Sequence, residues 1–116
     1  MSQSDCIFCK IIAGEIPAKL IYEDDTCVGF NDSNPQAPTH VLVIPREHFG
    51  SLDKARANQK ETLGHLLLTC ARIAREKGFA GDGYRTVINT NADGGQTVFH
   101  LHVHLLGGRQ FIFPPG

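Results

Sequence analysis

His100-Leu101-His102-Val103-His104-Leu105-Leu106 alternates histidine with an aliphatic residue, the period-two pattern of a β-strand. This reading turns Leu101, Val103 and Leu105 toward a core and His100, His102 and His104 toward the opposite face. At about 3.3 Å of rise per residue, neighbouring imidazoles stand roughly 7 Å apart and the outer two about 13 Å. Three such rings cannot easily share one small ion, because zinc–nitrogen bonds are about 2 Å long. Separate jobs along one surface are expected of them. A solvated strand face that happens to carry histidine is the bland alternative. It fits poorly with a chain of six histidines that places half of them within five residues.

Directly before this strand lies Asn91-Ala92-Asp93-Gly94-Gly95-Gln96-Thr97. Paired glycines let the backbone turn and present amide N–H groups to an anion, although Asp-Gly chemistry equally makes a simple turn between strands. Further upstream, Tyr84 to Asn89 reads as a strand. Ala57 to Lys77 reads as the one long helix, with Leu63, Leu66, Leu67, Cys70, Ile73 and Ala74 on its apolar face and Gly78 as its stop. His65 falls near the opposite side and is expected to be solvated. Leu20 to Glu23, Cys27 to Asn31 and His40 to Pro45 read as strands, with Asp24-Asp25 as a turn. Cys27 is expected to be a small buried residue. His40 opens its strand, and His48 follows in the next loop. Asp32 sits beside the turn-rich Ser33-Asn34-Pro35-Gln36-Ala37-Pro38, where its carboxylate could bind a ribose diol; the residues alone favour turn chemistry.

Near the start, Asp5 is expected to cap a short helix over Cys6 to Ile12, with Gly14 near its end. Inside it is the C-x-x-C pair Cys6-Ile7-Phe8-Cys9. That spacing can supply half of a tetrahedral zinc site, with the other ligands drawn from histidines far downstream. A thioredoxin-like redox pair is the rival, but such a pair usually follows a strand, and only five residues precede Cys6.

The whole chain sets the bounds. Its 116 residues are expected to form a single domain, 1–116, long enough to bury a real core. A net charge of -1 makes no electrostatic case for nucleic acid or an anionic membrane, and no apolar run approaches a membrane span. Met1 to Asp5 lacks a basic stretch ahead of an apolar one, so no secretory leader and a cytoplasmic location are expected. Four cysteines then read as thiols or metal ligands before disulfides.

These groups point to phosphoryl transfer. Neutral imidazole is a good nucleophile near neutral pH and can carry a covalent intermediate. A flanking imidazole can hydrogen-bond a phosphate oxygen or move a proton. Loop N–H groups and the side chains of Gln96 and Thr97 can stabilise charge. Neither a Walker-type loop nor an acidic magnesium cluster accompanies them.

The histidine strand resembles the H-φ-H-φ-H-φ-φ signature of the histidine triad superfamily, φ being apolar. More of the chain resembles its nucleotide-binding branch, the purine nucleoside phosphoramidases: Ile7-Phe8, Lys10-Ile11-Ile12, Glu15-Ile16-Pro17, Pro35-Gln36-Ala37-Pro38-Thr39-His40, Val43-Ile44-Pro45, Gly94-Gly95-Gln96, Leu106-Gly107-Gly108-Arg109 and Pro114-Pro115-Gly116. The resemblance implies an α+β fold with a five-stranded antiparallel sheet and two helices, the sheet continuing across a homodimer. The implied reaction is cleavage of the P–N bond of a purine nucleoside 5′-phosphoramidate through a nucleotidyl-histidine. The implied ligands are purine nucleoside monophosphates and phosphoramidates. Alternatives are a dinucleoside polyphosphate hydrolase and a nucleotide-binding interaction module with incidental turnover.

By the same resemblance His102 is the nucleophile, His104 contacts the phosphate and His40 handles a proton. Asn89, Gly95, Gln96 and Thr97 belong to the phosphate-binding positions, and Asp32 becomes the ribose carboxylate against the turn reading. Phe8, Ile11, Ile16, Phe30 and Leu42 form the apolar walls of the purine pocket. Cys6, Cys9, His48 and His100 match the four ligands of a structural zinc ion, which removes His100 from the chemistry. The chain departs from its better-known relatives at Thr97, where many have serine, at Asn31 and Ser33, which flank Asp32, and at Phe113, where they have tryptophan. The short tail with Phe111, Ile112 and Phe113 must lie across a surface, since large apolar side chains left in water cost roughly 1.5–3 kcal/mol each. The resemblance places Phe113 near the partner's histidine strand.

Overall fold

A computed structural model describes residues 5–116, so Met1 to Ser4 of the expected domain and leader reading lie outside the described residues. Strands β1 (Leu20–Glu23), β2 (Cys27–Asn31), β3 (Thr39–Pro45), β4 (Tyr84–Val87) and β5 (Val103–Gly107) form one antiparallel sheet, in the order β1-β2-β3-β5-β4. Two α-helices accompany it, α1 (Ile7–Ile12) and α2 (Lys60–Lys77). The expected α+β fold with a five-stranded sheet and two helices is the one observed.

The pleat of the sheet sorts its side chains into two layers. Cys27, Val41, Val43, Leu101, Val103 and Leu105 pack against Leu66, Cys70, Ile73 and Ala74 of α2. Val28, Phe30, Leu42 and Ile44 face the other way, against Cys6 and Phe8 around α1. Cross-strand pairs Phe30↔Leu42 and Leu42↔His104 therefore set Phe30, Leu42 and His104 in one row on the α1 face. A single residue of register would send His104 into the α2 core instead.

Local details differ from the sequence reading. The regular part of the histidine strand begins only at Val103, and His100 to His102 precede it. The β3–β5 ladder stops at Val43↔Val103 because Pro45, two residues on, has no N–H to give. The Pro45 carbonyl instead accepts from His100 Nε2 at 2.8 Å, and Leu101 N–H donates to the Phe49 carbonyl. β4 ends at Val87 and does not reach Asn89; Ile88 turns into the core. A turn of 3-10 helix over Ala57–Gln59 precedes α2, and Gly78 closes it in the left-handed conformation. The cap of α1 is Cys6, whose Sγ accepts from Cys9 N–H at 3.3 Å, one residue inside the expected Asp5.

His65 is not simply solvated. Its Nε2 donates to Asp24 Oδ2 at 2.7 Å, and the same oxygen accepts from the Tyr22 hydroxyl at 2.7 Å. Asp24 Oδ1 accepts from the N–H groups of Thr26 and Cys27, both at 2.8 Å. One carboxylate thus closes the β1–β2 turn and fastens it to α2. Burial pushes the Asp24 carboxyl up, but the hydrogen bonds from Tyr22, His65, Cys27 and Thr26 outweigh it and hold its pKa well below the usual carboxylate range. A carboxyl depressed by folding stabilises above the unfolded value of about 3.9, and that stability is lost as the pH falls through the folded value. Asp24→Ala should therefore cost about 2–3 kcal/mol at neutral pH, the order expected for bonds to a charged acceptor. Thermal melts should show the deficit at pH 7 and a narrowing gap to wild type below about pH 4. Equal melting temperatures at pH 7 would refute the clasp.

Candidate active site and metal centre

Between α1 and its face of the sheet lies a cavity of about 420 Å³. Its apolar end is made by Phe8, Ile11, Phe30 and Leu42, and its polar end by Asp32, Thr97, His102 and His104. Ile7, Ala18, Asn31, Ser33 and Val98 complete the lining. Asn31 and Ser33 were legible only as departures flanking Asp32. Ile7, Ala18 and Val98 carried no chemical signal, since their role is to be near.

Ile16, Asn89, Gly95 and Gln96 stand outside that lining. Gln96 is buried and fully engaged. Its Oε1 accepts from Asn91 N–H at 2.9 Å, while Nε2 donates to the carbonyls of Gly50 at 2.7 Å and Val98 at 3.0 Å. The amides of Gly95 and Gln96 close the same turn on Ala92 and Asn91. As placed here, these residues brace the loop that carries Thr97 and Val98 into the cavity.

Hydrogen-bond partners assign the tautomers. His102 Nδ1 lies 2.8 Å from the His100 carbonyl oxygen, which can only accept. Nδ1 therefore carries the proton, and Nε2 keeps the lone pair. Burial lowers the His102 pKa below the ordinary histidine value, so the ring is neutral at pH 7. At the other end, Gln36 N–H donates to His40 Nδ1 at 3.0 Å, which makes that nitrogen an acceptor and leaves the His40 proton on Nε2. His40 Nε2 then donates to His104 Nδ1 at 2.9 Å, with Asp32 Oδ2 at 3.5 Å beside it. His104 must carry its proton on Nε2, which is buried and has no hydrogen-bond partner among the described residues. Burial, reinforced by His102 and His40, pushes His104 down to about 4. His102 thus keeps a bare imidazole nitrogen and His104 an unpaired, buried N–H; both residues line the cavity, their ring centroids 5.0 Å apart. Asp32 serves in both of its readings: it lines the cavity while Oδ1 accepts from Asn34 N–H at 2.8 Å in a turn.

His100 points elsewhere. Cys6, Cys9, His48 and His100 bring their ligand atoms within 4.8 Å of one another. His100 Nδ1 is 3.4 Å from Cys6 Sγ, 3.6 Å from Cys9 Sγ and 3.1 Å from His48 Nδ1, and Cys9 Sγ is 3.3 Å from His48 Nδ1. Tetrahedral ligands at zinc bond lengths stand about 3.3–3.8 Å apart, so the residues fit a zinc ion. The His100 Nε2–H bond to the Pro45 carbonyl leaves Nδ1 as the donor nitrogen, the usual second-layer support of a metal-bound histidine. Burial pushes His100 down to about 4, so it is neutral as a ligand must be. The two centres share a frame. His100 offers Nδ1 to the cluster and its carbonyl to His102, and the Phe8 ring stands edge-on to both imidazoles, at 5.8 and 5.2 Å.

A family model described as the HIT domain matches residues 13–111. An uncharacterized HIT-like protein of Synechococcus elongatus is 57% identical over 112 residues, covering 97% of both chains. A maize protein named 14 kDa zinc-binding protein is 48% identical, over 100% of this chain and 91% of its own. The purine nucleoside phosphoramidase of Escherichia coli K12 is 47% identical, over 90% of this chain and 88% of its own. Among solved structures, a HIT family hydrolase from Legionella pneumophila superposes with a TM-score of 0.94 at 46% identity, covering 97% of this chain and 100% of that one.

Proposed function

From the premise that the chain belongs to the HIT domain family, we propose that it is a purine nucleoside phosphoramidase, a hydrolase that releases a nucleoside monophosphate and an amine. The observation that carries this reading is the pairing of opposite tautomers on one cavity wall, a lone pair on His102 beside a free N–H on His104. Its support among relatives is the name of the Escherichia coli protein.

The apolar end, Phe8, Ile11, Phe30 and Leu42, suits a purine ring, and the Asp32 carboxylate at the polar end suits the ribose hydroxyls. His102 Nε2 attacks phosphorus, an N–P bond forms, and the P–N bond to the amine breaks. As the bond breaks, the leaving nitrogen takes a proton from solvent water and departs as the free amine, and the later hydrolysis returns a proton to solvent. The ring of the adduct is cationic, and its Nδ1–H is already aimed at the His100 carbonyl, which stabilises that charge without rearrangement. His104 Nε2–H donates to a phosphoryl oxygen, and Thr97, which lines the same cavity, can add its hydroxyl. Water then attacks phosphorus, breaks the N–P bond and frees the nucleotide and His102. Cys6, Cys9, His48 and His100 would hold zinc, which supplies cross-linking of α1 to the sheet and takes no part in the steps.

The closing test compares adenosine 5′-phosphoramidate with a dinucleoside polyphosphate, using a His102 variant as the control. Preferential turnover of the phosphoramidate supports the reading; preference for the polyphosphate, or turnover that survives the variant, refutes it. Among the described residues no helix is long and apolar enough to cross a membrane. Four cysteines outside any disulfide, two of them in the metal cluster, suit a reducing compartment, and on that ground we read the location as cytoplasmic.

We also propose a homodimer whose sheet continues from one protomer to its partner. In the isolated chain Ile112 and Phe113 are 71% and 82% exposed, and the tail is fastened beside the edge strand β4. Arg85 donates to the Ile112 carbonyl at 2.9 Å and lies over the rings of Phe111 and Phe113. Deleting Phe111 to Gly116 should change selectivity among amine leaving groups several-fold, with less effect on affinity for a nucleoside monophosphate. A monomer by sedimentation, or unaltered selectivity after truncation, would overturn the partner-tail assignment.

A further inference from the structure

Arg109 stands in the Gly107-Gly108-Arg109 run, and no step above uses it. Its guanidinium donates from Nε and Nη2 to the Gln36 carbonyl oxygen, at 3.3 and 3.2 Å, and from Nη1 to the Gln110 carbonyl at 3.0 Å. The plane of the group lies over Phe111, 4.1 Å from the ring centroid. Such a fork is held on several sides, which Lys could not reproduce. The backbone beside it fits the same loop closely. Gly108 has φ +94°, and a Cβ there would come within 2.8 Å of Pro38 Cβ. Gln36 is braced from its own loop too, Nε2 donating to the Asn34 carbonyl at 3.0 Å.

The consequence reaches the reacting atoms through two hydrogen bonds. Gln36 N–H aimed at His40 Nδ1 forces the His40 proton onto Nε2. That N–H donates to His104 Nδ1, so His104 keeps its own proton on Nε2, which no other residue engages among those described. Let the loop drift, and His40 is free to take the other tautomer. His104 would then have to donate from Nδ1, and a lone pair would replace its N–H against the phosphoryl oxygens. A donor would become a repulsive acceptor with no change in the residues lining the cavity.

We infer that Arg109 is a positioning residue for the phosphoryl-transfer site: by pinning the Gln36 carbonyl it holds the Gln36 amide on His40 and so sets the tautomer that arms His104. The inference rests on the hydrolase reading for its kinetic arm and on the hydrogen-bond chain alone for its spectroscopic arm.

Nitrogen NMR of histidine-labelled wild-type protein should show His40 and His104 protonated on Nε2 and His102 on Nδ1. In Arg109→Ala the His40 and His104 signals should move toward mixed tautomers. Turnover of adenosine 5′-phosphoramidate should fall about tenfold in kcat, with KM within about twofold, since the cavity lining is untouched. Gln36→Pro removes the N–H directly while leaving the carbonyl for Arg109, and should give the same tautomer change. Arg109→Lys keeps one donor and should recover part of the loss. Unchanged tautomers in both Arg109→Ala and Gln36→Pro would overturn the inference, as would a lower kcat with unchanged tautomers. The NMR arm needs no substrate, so wild-type protein inactive on the phosphoramidate would sink the hydrolase reading while the tautomer shifts still decide for or against the relay.

Discussion

His102→Ala is expected to lower phosphoramidate turnover by about four orders of magnitude or more, the scale of losing a covalent nucleophile, while AMP still binds within about tenfold. The split follows from the division of labour in the cavity. Under the proposed function, affinity is expected from the apolar wall around Phe8 and Phe30, from Asp32 and from the N–H of His104, none of which the substitution removes. The proposed reaction needs the lone pair on His102 Nε2, and among the described residues the neighbouring imidazoles offer no substitute: His104 Nδ1 accepts from His40, and His100 Nδ1 belongs to the cysteine cluster. Mass spectrometry of a quenched wild-type reaction should find a nucleotide adduct on the peptide carrying His102, absent from the variant. Because burial lowers the His102 pKa, its neutral form persists below the ordinary histidine range, and the rate should hold from neutral pH into mild acid before falling. Substantial turnover by the alanine variant would end the covalent mechanism.

Removing zinc should produce the largest loss of stability. Structural zinc sites contribute on the order of 10 kcal/mol of apparent binding energy, and binding that exists only in the folded chain adds to folding stability. Here the ion would tie α1 to the sheet through Cys6 and Cys9 on one side and His48 and His100 on the other, segments that are otherwise joined mainly by apolar contacts. Protein purified without chelator should hold about one zinc per chain, and chelation should lower the melting temperature by roughly 10 °C or more. Cys6 has a second duty as the cap of α1, so Cys6→Ala would mix two effects. Cys6→Ser keeps an oxygen to accept from Cys9 N–H and is the cleaner test. It should lose the metal and most of the stability, with a smaller fractional loss of turnover. Burial, then the neighbouring Cys6, pushes the Cys9 thiol up to about 11 without metal, so zinc uptake should release protons and weaken as the pH falls. Metal-free protein whose melting temperature ignores added zinc would refute the site.

Local periodicity by itself determined the strands, the long helix and most of their buried residues, although Leu67, read onto the apolar face of the helix, is 45% exposed. Alternation put Leu101, Val103 and Leu105 in the core, and the helical repeat put Leu66, Cys70 and Ile73 opposite them, because side-chain direction follows from backbone geometry one residue at a time. The C-x-x-C spacing announced half of a metal site for the same reason. Family resemblance then named the partners that spacing could not. Tertiary structure decided what depends on where distant segments cross. His100 reaches Cys6 across 94 positions and His48 across 52, and no local rule measures such separations. It decided that the regular strand starts at Val103, since the missing N–H belongs to Pro45 on another strand. Only the fold could show that His65 fastens Asp24, that Gln96 braces its loop, and that Gln36, a residue with no chemical signal of its own, faces His40. Above all, it decided the tautomers. Two neutral imidazoles are chemically identical in sequence; they differ here because the His100 carbonyl accepts from His102 Nδ1–H while His104 Nδ1 accepts from His40 Nε2–H, which gives them the opposite tautomers that the proposed reaction would use.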